Sequence, residues 1–272
     1  MTGEWQVERL DLDAYLARIG FPGDLDVTGP TLGDLHRAHV ARIPFENIDV
    51  RQGGGVETGL DAVQDKLVRH RRGGYCYEHG VLFAAALDRI GFDVDRLLAR
   101  IGHDAARPRP RTHMLLHVRS DQQQWLADVG FGGGLLWPLP WDDVGAIHRQ
   151  GGWTYRLEQG TTGERMLLER HGEQWRTLYS FTDEPQHASD ITMANHFTQS
   201  HPSSPFRDHL VAIAKDEARL SVLRGRRLTQ TRPGGTSTED NLERDQFHPV
   251  LTEIGIHVSH AQAVKLWRDE GP

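Results

Sequence analysis

The first ninety residues place apolar side chains three and four positions apart, the spacing of helices that bury one face. In the segment LDLDAYLARIG, apolar residues recur at these steps, and Gly20 is positioned to end the helix. The segment TLGDLHRAHVARIP repeats the pattern, with Thr31 as the expected N-cap and Pro44 as the expected end. Both segments therefore predict amphipathic helices.

Two further helices are expected before the pattern changes. One covers about residues 61 to 70 and ends before a pair of glycines. The other starts at about Cys76 and ends at about Ile90, where Gly91 supplies a C-terminal glycine. Together the four segments predict a helical bundle over residues 1–92.

From Val94 onward the apolar residues alternate with polar ones, as in strands that bury one face. Six short segments between turn residues are strand candidates: DRLLARI, THMLLHV, QWLADVGF, WTYRLEQ, RMLLER and QWRTLYSF. A polar, helix-like stretch follows at about residues 189 to 198. We therefore expect residues 93–200 to form a β-barrel or a strongly curved sheet.

The last part of the chain, residues 201–272, mixes the two patterns. HLVAIAK and ARLSVLRG predict a strand pair, whereas HPVLTEIGI and SHAQAVKLW predict two closing helices. The chain is therefore expected to have an α+β fold, with a helical region, a barrel and a smaller α/β region in that order.

Composition and charge exclude some classes of function. The 272 residues include 31 Lys and Arg against 38 Asp and Glu, a net charge of -7, which disfavours a protein that binds nucleic acid by neutralising phosphates. The longest apolar run, residues 81 to 87, is far shorter than the roughly 20 residues that span a bilayer. The N-terminus lacks the features of a signal peptide, so the cytoplasm is the expected location and no membrane is an expected partner.

The segment RRGGYCYEHG contains the single cysteine, Cys76, so an intramolecular disulfide and a cysteine-based zinc site are excluded. Cys76 falls at the expected start of a helix, where unpaired N–H groups and the helix dipole stabilise a thiolate. Gly73 and Gly74 just before it would leave room for an incoming substrate. Two interpretations follow: a nucleophile, or an inert cysteine in the core.

A nucleophilic cysteine needs a histidine to take its proton and a third group to orient that histidine. If THMLLHV and QWLADVGF form a hairpin that turns at Ser120 and Asp121, residues whose numbers sum to 241 face each other, and His113 then faces Asp128. A slip by an even number of residues keeps both side chains on one face. The alternative is a surface hairpin in which His113 and Asp128 are incidental.

The sequence resembles the arylamine N-acetyltransferases. The resemblance covers nearly the whole chain and is carried by RGGYCYE, HRAHVARIPFENID, the Thr-His of RTHMLL, ADVGFGG and SHPSSPF. The signature of the family is an Arg-Gly-Gly-aromatic-Cys segment followed by an aromatic or apolar residue and Glu. One departure is visible, because many members have Asn where this chain has Gly80.

The resemblance implies a site, a fold and a reaction. Cys76 resembles the nucleophile, His113 its base and Asp128 the orienting acid of a cysteine-protease-like core. Similar proteins fold as a helical bundle, a β-barrel and an α/β lid. The implied reaction is ping-pong transfer of an acetyl group from acetyl-CoA to an arylamine, an arylhydroxylamine or a hydrazine, with no metal.

Several residues are candidates for the substrate pocket, although each aromatic is otherwise an ordinary core residue. They are Phe45, Tyr75, Phe131, Gly132 and Phe206. Backbone N–H groups near Cys76 and in residues 130–134 are candidates for holding a tetrahedral oxyanion.

Two other patterns carry weaker predictions. His36 and His39 have a metal-compatible spacing, but no third ligand is evident, and His36, Glu46 and His79 are equally suited to structural hydrogen bonds. The basic run RGRRLTQTR, residues 224–232, is suited to CoA phosphates, but we expect a solvated loop there. No metal is therefore assigned.

Three classes of function stay open from the residues alone: the acetyltransferase, a cysteine hydrolase or transglutaminase-like enzyme with the same triad, and a non-catalytic binding or redox-sensing protein. A hydrolase differs only in admitting water to the acyl-enzyme, and a single cysteine makes a poor thiol switch. The oligomeric state is not predicted.

Overall fold

A computed structural model describes residues 3–104, 106–160 and 163–271. The N-terminal region is helical, as predicted. After a 3-10 turn at Val7–Arg9, its helices are α1 (Leu12–Ile19), α2 (Gly29–Arg42), α3 (Ile48–Arg51), α4 (Leu60–Gln64) and α5 (Cys76–Ile90). The helix predicted for residues 61 to 70 is α4 followed by a π-helical turn at Asp65–Arg69. The bounds of α5 agree with the prediction, and Gly91 ends it with a φ of 114°.

The start of α2 differs from the prediction. The N-cap is Thr28, whose hydroxyl accepts a hydrogen bond from the N–H of Thr31 at 3.3 Å, so Thr31 lies inside the first turn. Pro30 explains the earlier start, because proline suits the first turn of a helix, where its missing N–H has no partner to lose.

The central region forms an eight-stranded antiparallel sheet that curves into a nearly closed barrel, as predicted. The strand order is β5-β4-β3-β2-β9-β8-β7-β6. The strands are β2 (Asp93–Ile101), β3 (Arg111–Ser120), β4 (Gln123–Ala127), β5 (Leu139–Pro140), β6 (His148–Gln150), β7 (Trp153–Gln159), β8 (Arg165–His171) and β9 (Gln174–Phe181). The sequence pattern predicted six of them and missed β5 and β6, which are too short to show alternation.

The β3–β4 hairpin has a register two residues away from the predicted one. Ser120 faces Gln123, so residues whose numbers sum to 243 are paired, and the turn consists of Asp121 and Gln122 with φ angles of 47° and 62°. The predicted turn at Ser120 and Asp121 is therefore wrong by one residue. Because the slip is even, every side chain keeps its face.

A second, five-stranded antiparallel sheet joins the C-terminal region to the helical one. Its order is β1-β10-β11-β12-β13. The strands are β1 (Phe45–Glu46), β10 (Val211–Lys215), β11 (Leu220–Arg224), β12 (Arg227–Thr231) and β13 (Ser237–Asn241). The helices of this region are α6 (Ala188–Ser200), α7 (Pro205–Asp208), α8 (Arg244–Glu253) and α9 (His260–Asp269). The basic run at 224–232 is thus a turn and a strand, not the expected loop, because β12 pairs on both sides.

The apolar core consists of three clusters, and the largest one surrounds Cys76. That cluster joins α5 to β3 and β1 through Cys76, Met114, Phe45 and Val129, all of which are buried. No helix among the described residues is long and apolar enough to cross a membrane. The candidate nucleophile therefore lies where the helical region meets the barrel.

Candidate active site

Cys76 is the first residue of α5 and is 4% exposed. Tyr75 before it is extended, and its N–H donates to the Glu78 carboxylate at 3.0 Å. The carbonyl of Gly74 accepts a hydrogen bond from the N–H of Glu46 in β1 at 2.8 Å. The backbone leading into Cys76 is therefore fixed on both sides of the chain, and the thiol lies at the positive end of the helix dipole.

The two glycines before Cys76 serve a purpose that differs from the predicted one. A Cβ atom on Gly73 would lie 2.3 Å from the Pro44 carbonyl oxygen, and one on Gly74 would lie 2.7 Å from the Glu78 carboxylate. The space beside them is filled by protein instead of being open to substrate. Gly73 is needed because the backbone of Pro44 approaches closely, and Gly74 because the Glu78 side chain does.

His113 and Asp128 meet in the buried interior. Their side chains are 2% and 0% exposed, and 2.8 Å separates His113 Nε2 from Asp128 Oδ2. The other oxygen of Asp128 accepts a hydrogen bond from the N–H of Gly130 at 3.0 Å. The structure thus brings together the pair that the hairpin argument predicted, although Asp128 lies just beyond the end of β4 and outside the paired residues.

The thiol lies beside the base. Cys76 Sγ is 3.7 Å from the carbonyl oxygen of Thr112, the residue before His113. Because Nε2 of His113 is bonded to Asp128, Nδ1 is the nitrogen left for the thiol. Burial alone favours a neutral ring, but the charge of Asp128 and a hydrogen bond with Cys76 raise the pKa of His113 to about 10. The imidazole therefore keeps its proton at neutral pH.

Asp128 stays charged in spite of its burial. Desolvation acts to raise the pKa of this carboxyl, but His113, the Tyr179 hydroxyl and the N–H of Gly130 together lower it. The Tyr179 ring lies 5.0 Å from the His113 ring between centroids. Its hydroxyl makes no hydrogen bond of good geometry to a described residue, so we assign its effect on Asp128 to proximity.

A second histidine, His36, holds the backbone of Asp128. The N–H of Asp128 donates to His36 Nε2 at 3.1 Å, so that nitrogen carries no proton, and His36 Nδ1 donates to the carbonyl of Leu136 at 3.1 Å. Burial lowers the pKa of His36 to about 4, in agreement with a neutral ring. Cys76, His113 and Asp128 together have the geometry of a thiol nucleophile, its base and the group that orients the base.

Comparisons with known proteins decide the family. A family model described as N-acetyltransferase matches residues 28–263. The chain is 40% identical over 208 residues to the arylamine N-acetyltransferase / N-hydroxyarylamine O-acetyltransferase of Salmonella typhimurium, with 74% of this chain and 71% of that protein covered. The chain belongs to the arylamine N-acetyltransferase family.

Two solved structures of arylamine N-acetyltransferases have the same fold. The enzyme from Mycobacterium abscessus superposes with a TM-score of 0.92 at 37% identity, covering 100% of this chain and 99% of that one. The enzyme from Mycobacterium marinum, solved in complex with CoA, superposes with a TM-score of 0.86 at 32% identity, covering 94% of this chain and 98% of that one. The resemblance seen in the sequence is therefore confirmed, and the protein is a transferase.

Three of the five candidate pocket residues lie next to the triad. The Phe131 ring meets the His113 ring edge-on with 5.2 Å between centroids, and a Cβ atom on Gly132 would lie 3.0 Å from Cβ of Phe45. The cavity that Phe45, Gly132 and Asp128 help to line holds only about 10 Å³, room for about one water. A cavity of this volume has no room for an arylamine.

The other two candidates, Tyr75 and Phe206, differ in burial, because Phe206 is only partly buried. Tyr75 is fully buried, and its hydroxyl donates to Asn195. The Phe206 ring lies 6.0 Å from the Tyr75 ring and 5.9 Å from the Phe45 ring, between centroids. Phe206 thus packs between the Phe45 and Tyr75 rings, and the role of Tyr75 and Phe206 in substrate binding stays a prediction.

The departure at Gly80 has a local explanation. A Cβ atom there would lie 2.7 Å from Sδ of Met114, which is buried on β3 next to His113. The Met114 side chain therefore fills the space that a side chain at position 80 would need. Asparagine at this position would require Met114 to move.

Two other buried histidines, His39 and His79, form a chain of hydrogen bonds. His79 Nε2 donates to the carbonyl of Gly74 at 3.0 Å, so its Nδ1 accepts from His39 Nε2 at 2.9 Å, and His39 Nδ1 accepts from the Tyr15 hydroxyl at 2.9 Å. These bonds use the ring nitrogens that the metal hypothesis required. Among residues 3–104, 106–160 and 163–271 no group of three or more His, Cys, Asp or Glu side chains is arranged to hold a metal.

Residues that the sequence pattern did not single out also contact this region. They are Thr112, Tyr155, Glu169, Tyr179 and Lys215. Tyr179 occupies an inward position of the segment QWRTLYSF, so alternation alone indicates its burial. Nothing in the local sequence indicates that Lys215 is buried, because a lysine at the end of a strand is ordinarily exposed.

Proposed function

We propose that the protein transfers an acetyl group from acetyl-CoA to an arylamine through an acetyl-enzyme formed on Cys76. The observation that carries the proposal is the single thiol at the start of α5, beside an imidazole whose charge is stabilised by Asp128. N-hydroxyarylamines and hydrazines are further acceptors. The catalytic thiol requires a reducing compartment, and we place the protein in the cytoplasm.

In the first half-reaction the Cys76 thiolate attacks the carbonyl carbon of the acetyl thioester. A bond forms between Sγ and that carbon, the bond from the carbon to the CoA sulfur breaks, and CoA leaves as a thiol with the proton held by His113. One thioester replaces another, so the step is nearly isoenergetic.

In the second half-reaction the amine nitrogen attacks the acetyl carbon on Cys76. His113 accepts a proton from the nitrogen, the bond from carbon to Sγ breaks, and the thiolate and the imidazolium are restored. An anilinic nitrogen is largely neutral at pH 7, so it attacks with modest help from His113. Asp128 holds the ring throughout.

The test separates transfer from the alternative, which is a cysteine hydrolase or transglutaminase-like enzyme. The enzyme is mixed with acetyl-CoA with and without an arylamine, free thiol is followed, and the protein mass is measured after rapid quench. We expect one acetyl group per chain without amine and rapid CoA release only with amine. Cys76→Ser is the control.

Two results would overturn the assignment. Equal release of CoA with and without amine means that water is the acceptor, and the protein is a hydrolase. An acetyl adduct that is as abundant on Cys76→Ser as on the wild type means that the acetyl group is carried elsewhere.

A further inference from the structure

Residues 130–134, Gly-Phe-Gly-Gly-Gly, are here called the glycine segment, and they lie against both catalytic groups. A Cβ atom on Gly130 would lie 2.9 Å from the carbonyl oxygen of Cys76. The Phe131 ring packs edge-on against His113. Any displacement of this segment therefore moves the wall beside the thiol and the ring that supports the base.

The glycine segment has few side chains of its own to hold it, and the protein supplies anchors at both ends. At the first end, Asp128 accepts the hydrogen bond from the N–H of Gly130. At the second end, the Gly133 carbonyl accepts from Lys215 Nζ at 2.7 Å, and the Gly134 carbonyl accepts from the Tyr155 hydroxyl at 2.7 Å. Because four of five residues are glycines, the segment loses more backbone entropy on ordering than other sequences do, and anchors offset this.

Lys215 is fully engaged at this place. Its side chain is 1% exposed, and besides Gly133 it donates to the Tyr155 hydroxyl at 2.7 Å and to Glu169 Oε1 at 2.6 Å. These three acceptors match the three N–H bonds of an ammonium group. The ammonium also lies 4.0 Å from the centre of the Trp153 ring.

Such a buried charge is not explained by stability. Burial lowers the pKa of Lys215 to about 8, in spite of the opposing charge of Glu169, so the fold bears a cost for the charged form. Replacing a buried ion pair with uncharged groups of similar volume is often neutral or stabilising. A methionine would fill the same space, but it would leave the Gly133 carbonyl without its donor.

We propose that Lys215 is a positioning residue for acetyl transfer. Through Gly133, and together with Tyr155 through Gly134, it fixes the glycine segment against Cys76 and His113. The inference rests on the acetyl-enzyme mechanism proposed above, because it assigns Lys215 to the support of those two groups.

The test variant is Lys215→Met/Glu169→Gln, which removes both charges and leaves a side chain that still accepts from His171. We expect kcat for acetyl transfer to fall by about tenfold or more, the effect of one lost positioning hydrogen bond, with little change in Tm. Without any substrate, alkylation of Cys76 by iodoacetamide should become more strongly dependent on pH, because His113 loses its support. A purely structural role predicts a lower Tm and an unchanged alkylation profile.

The matched control is Arg96→Met/Asp88→Asn, which removes another ion pair, one with a buried arginine and a partly buried aspartate. Asp88 lies twelve residues beyond Cys76 on α5, about 18 Å along the helix axis. We expect this variant to keep the wild-type kcat and alkylation profile. Tyr155→Phe, which removes only the hydroxyl, should lower kcat in the same direction but less, and it tests the proposal if the double variant folds poorly.

The two proposals fail in different ways. A wild-type enzyme that forms no acetyl adduct on Cys76 overturns the mechanism. A wild type that forms the adduct, together with a Lys215→Met/Glu169→Gln variant whose kcat and alkylation profile are unchanged, overturns the role of Lys215.

Discussion

Two buried ion pairs in this molecule have nearly the same distance and burial, but the pKa values of their cations shift in opposite directions. The acids of the His113–Asp128 and Lys215–Glu169 pairs are 0% and 2% exposed, and the ion-pair distances are 2.8 Å and 2.6 Å. The pKa of His113 is nevertheless raised to about 10, whereas the pKa of Lys215 is lowered to about 8. Distance and burial alone therefore do not determine whether a buried cation is stabilised.

The groups around each cation explain why the two pKa values shift in opposite directions. Burial disfavours the charge on both, but His113 interacts with the carboxylate of Asp128 and also with Cys76. Lys215 has a single anion, Glu169, which also lies 2.8 Å from His171. The first site stabilises the proton on His113 that the reaction uses. The second site keeps Lys215 charged at a cost in folding free energy, and its ammonium donates to the Gly133 carbonyl.

The largest expected effect on kcat comes from removing the charge of the acid in the first pair, Asp128. Asp128→Asn should lower kcat by up to about four powers of ten, because an amide neither stabilises the imidazolium nor fixes its tautomer. Glu169→Gln should lower kcat far less, because Lys215 keeps its contacts with Gly133 and Tyr155. Steady-state kinetics on variants whose folding is verified by circular dichroism provide the measurement, and near-normal transfer by Asp128→Asn would remove the orienting role.

The next effect concerns the reactivity of the thiol. Wild-type Cys76 should react with iodoacetamide at almost the same rate between about pH 6 and pH 8, because the imidazolium of His113 keeps the thiolate in place. In His113→Ala the rate should rise about tenfold per pH unit, as for an unpaired thiol. With one cysteine in the chain, mass and activity report the same event. A wild-type rate that follows the steep dependence would show that Cys76 is not ion-paired.

The smallest effect is a difference in how stability depends on pH. The pKa of His113 is raised from 6.5 to about 10, so its contribution is fully present below 6.5 and is lost as the pH rises toward 10. The pKa of Lys215 is lowered from 10.5 to about 8, so its cost is present below 8 and disappears as the pH rises toward 10.5.

Denaturant midpoints measured between about pH 7 and pH 10 separate the two contributions. Asp128→Asn should lose less stability over this range than the wild type, and Lys215→Met/Glu169→Gln should lose more, because an opposing trend is removed. If the stability of the wild type and the two variants changes with pH in parallel, His113 and Lys215 do not make opposite contributions.

Local patterns were sufficient for the nucleophile side of the site. The bounds of α5 were predicted because apolar spacing, the preceding glycines and Gly91 all lie within twenty residues of one another. The same segment misled us about both glycines, since the close neighbour of Gly73 is Pro44, about thirty residues earlier, and that of Gly74 is the Glu78 side chain. Local reasoning identified the position of these glycines but not their purpose.

The sequence pattern predicted His113 and Asp128 but not the residues that support them. Alternation placed His113 and Asp128 on one face, and the two-residue error in register did no harm because the period of a strand is two. No local signal identified Lys215, because its burial arises from Tyr155 and Glu169 on β7 and β8, about fifty residues away in the chain. The basic run at 224–232, by contrast, pairs with the adjacent strands β11 and β13, so chain distance did not hide that pairing.

The sequence by itself determined where α5 starts, that His113 lies on a strand with Asp128 at the end of the next one, and the family. These properties depend on short-range spacing and on motifs, which a linear chain displays. The tertiary structure alone decided the register of the hairpin, the anchors of the glycine segment and the opposite pKa shifts of His113 and Lys215. The physical reason is that desolvation and Coulomb interactions depend on which distant groups surround a charge, and folding alone brings those groups together.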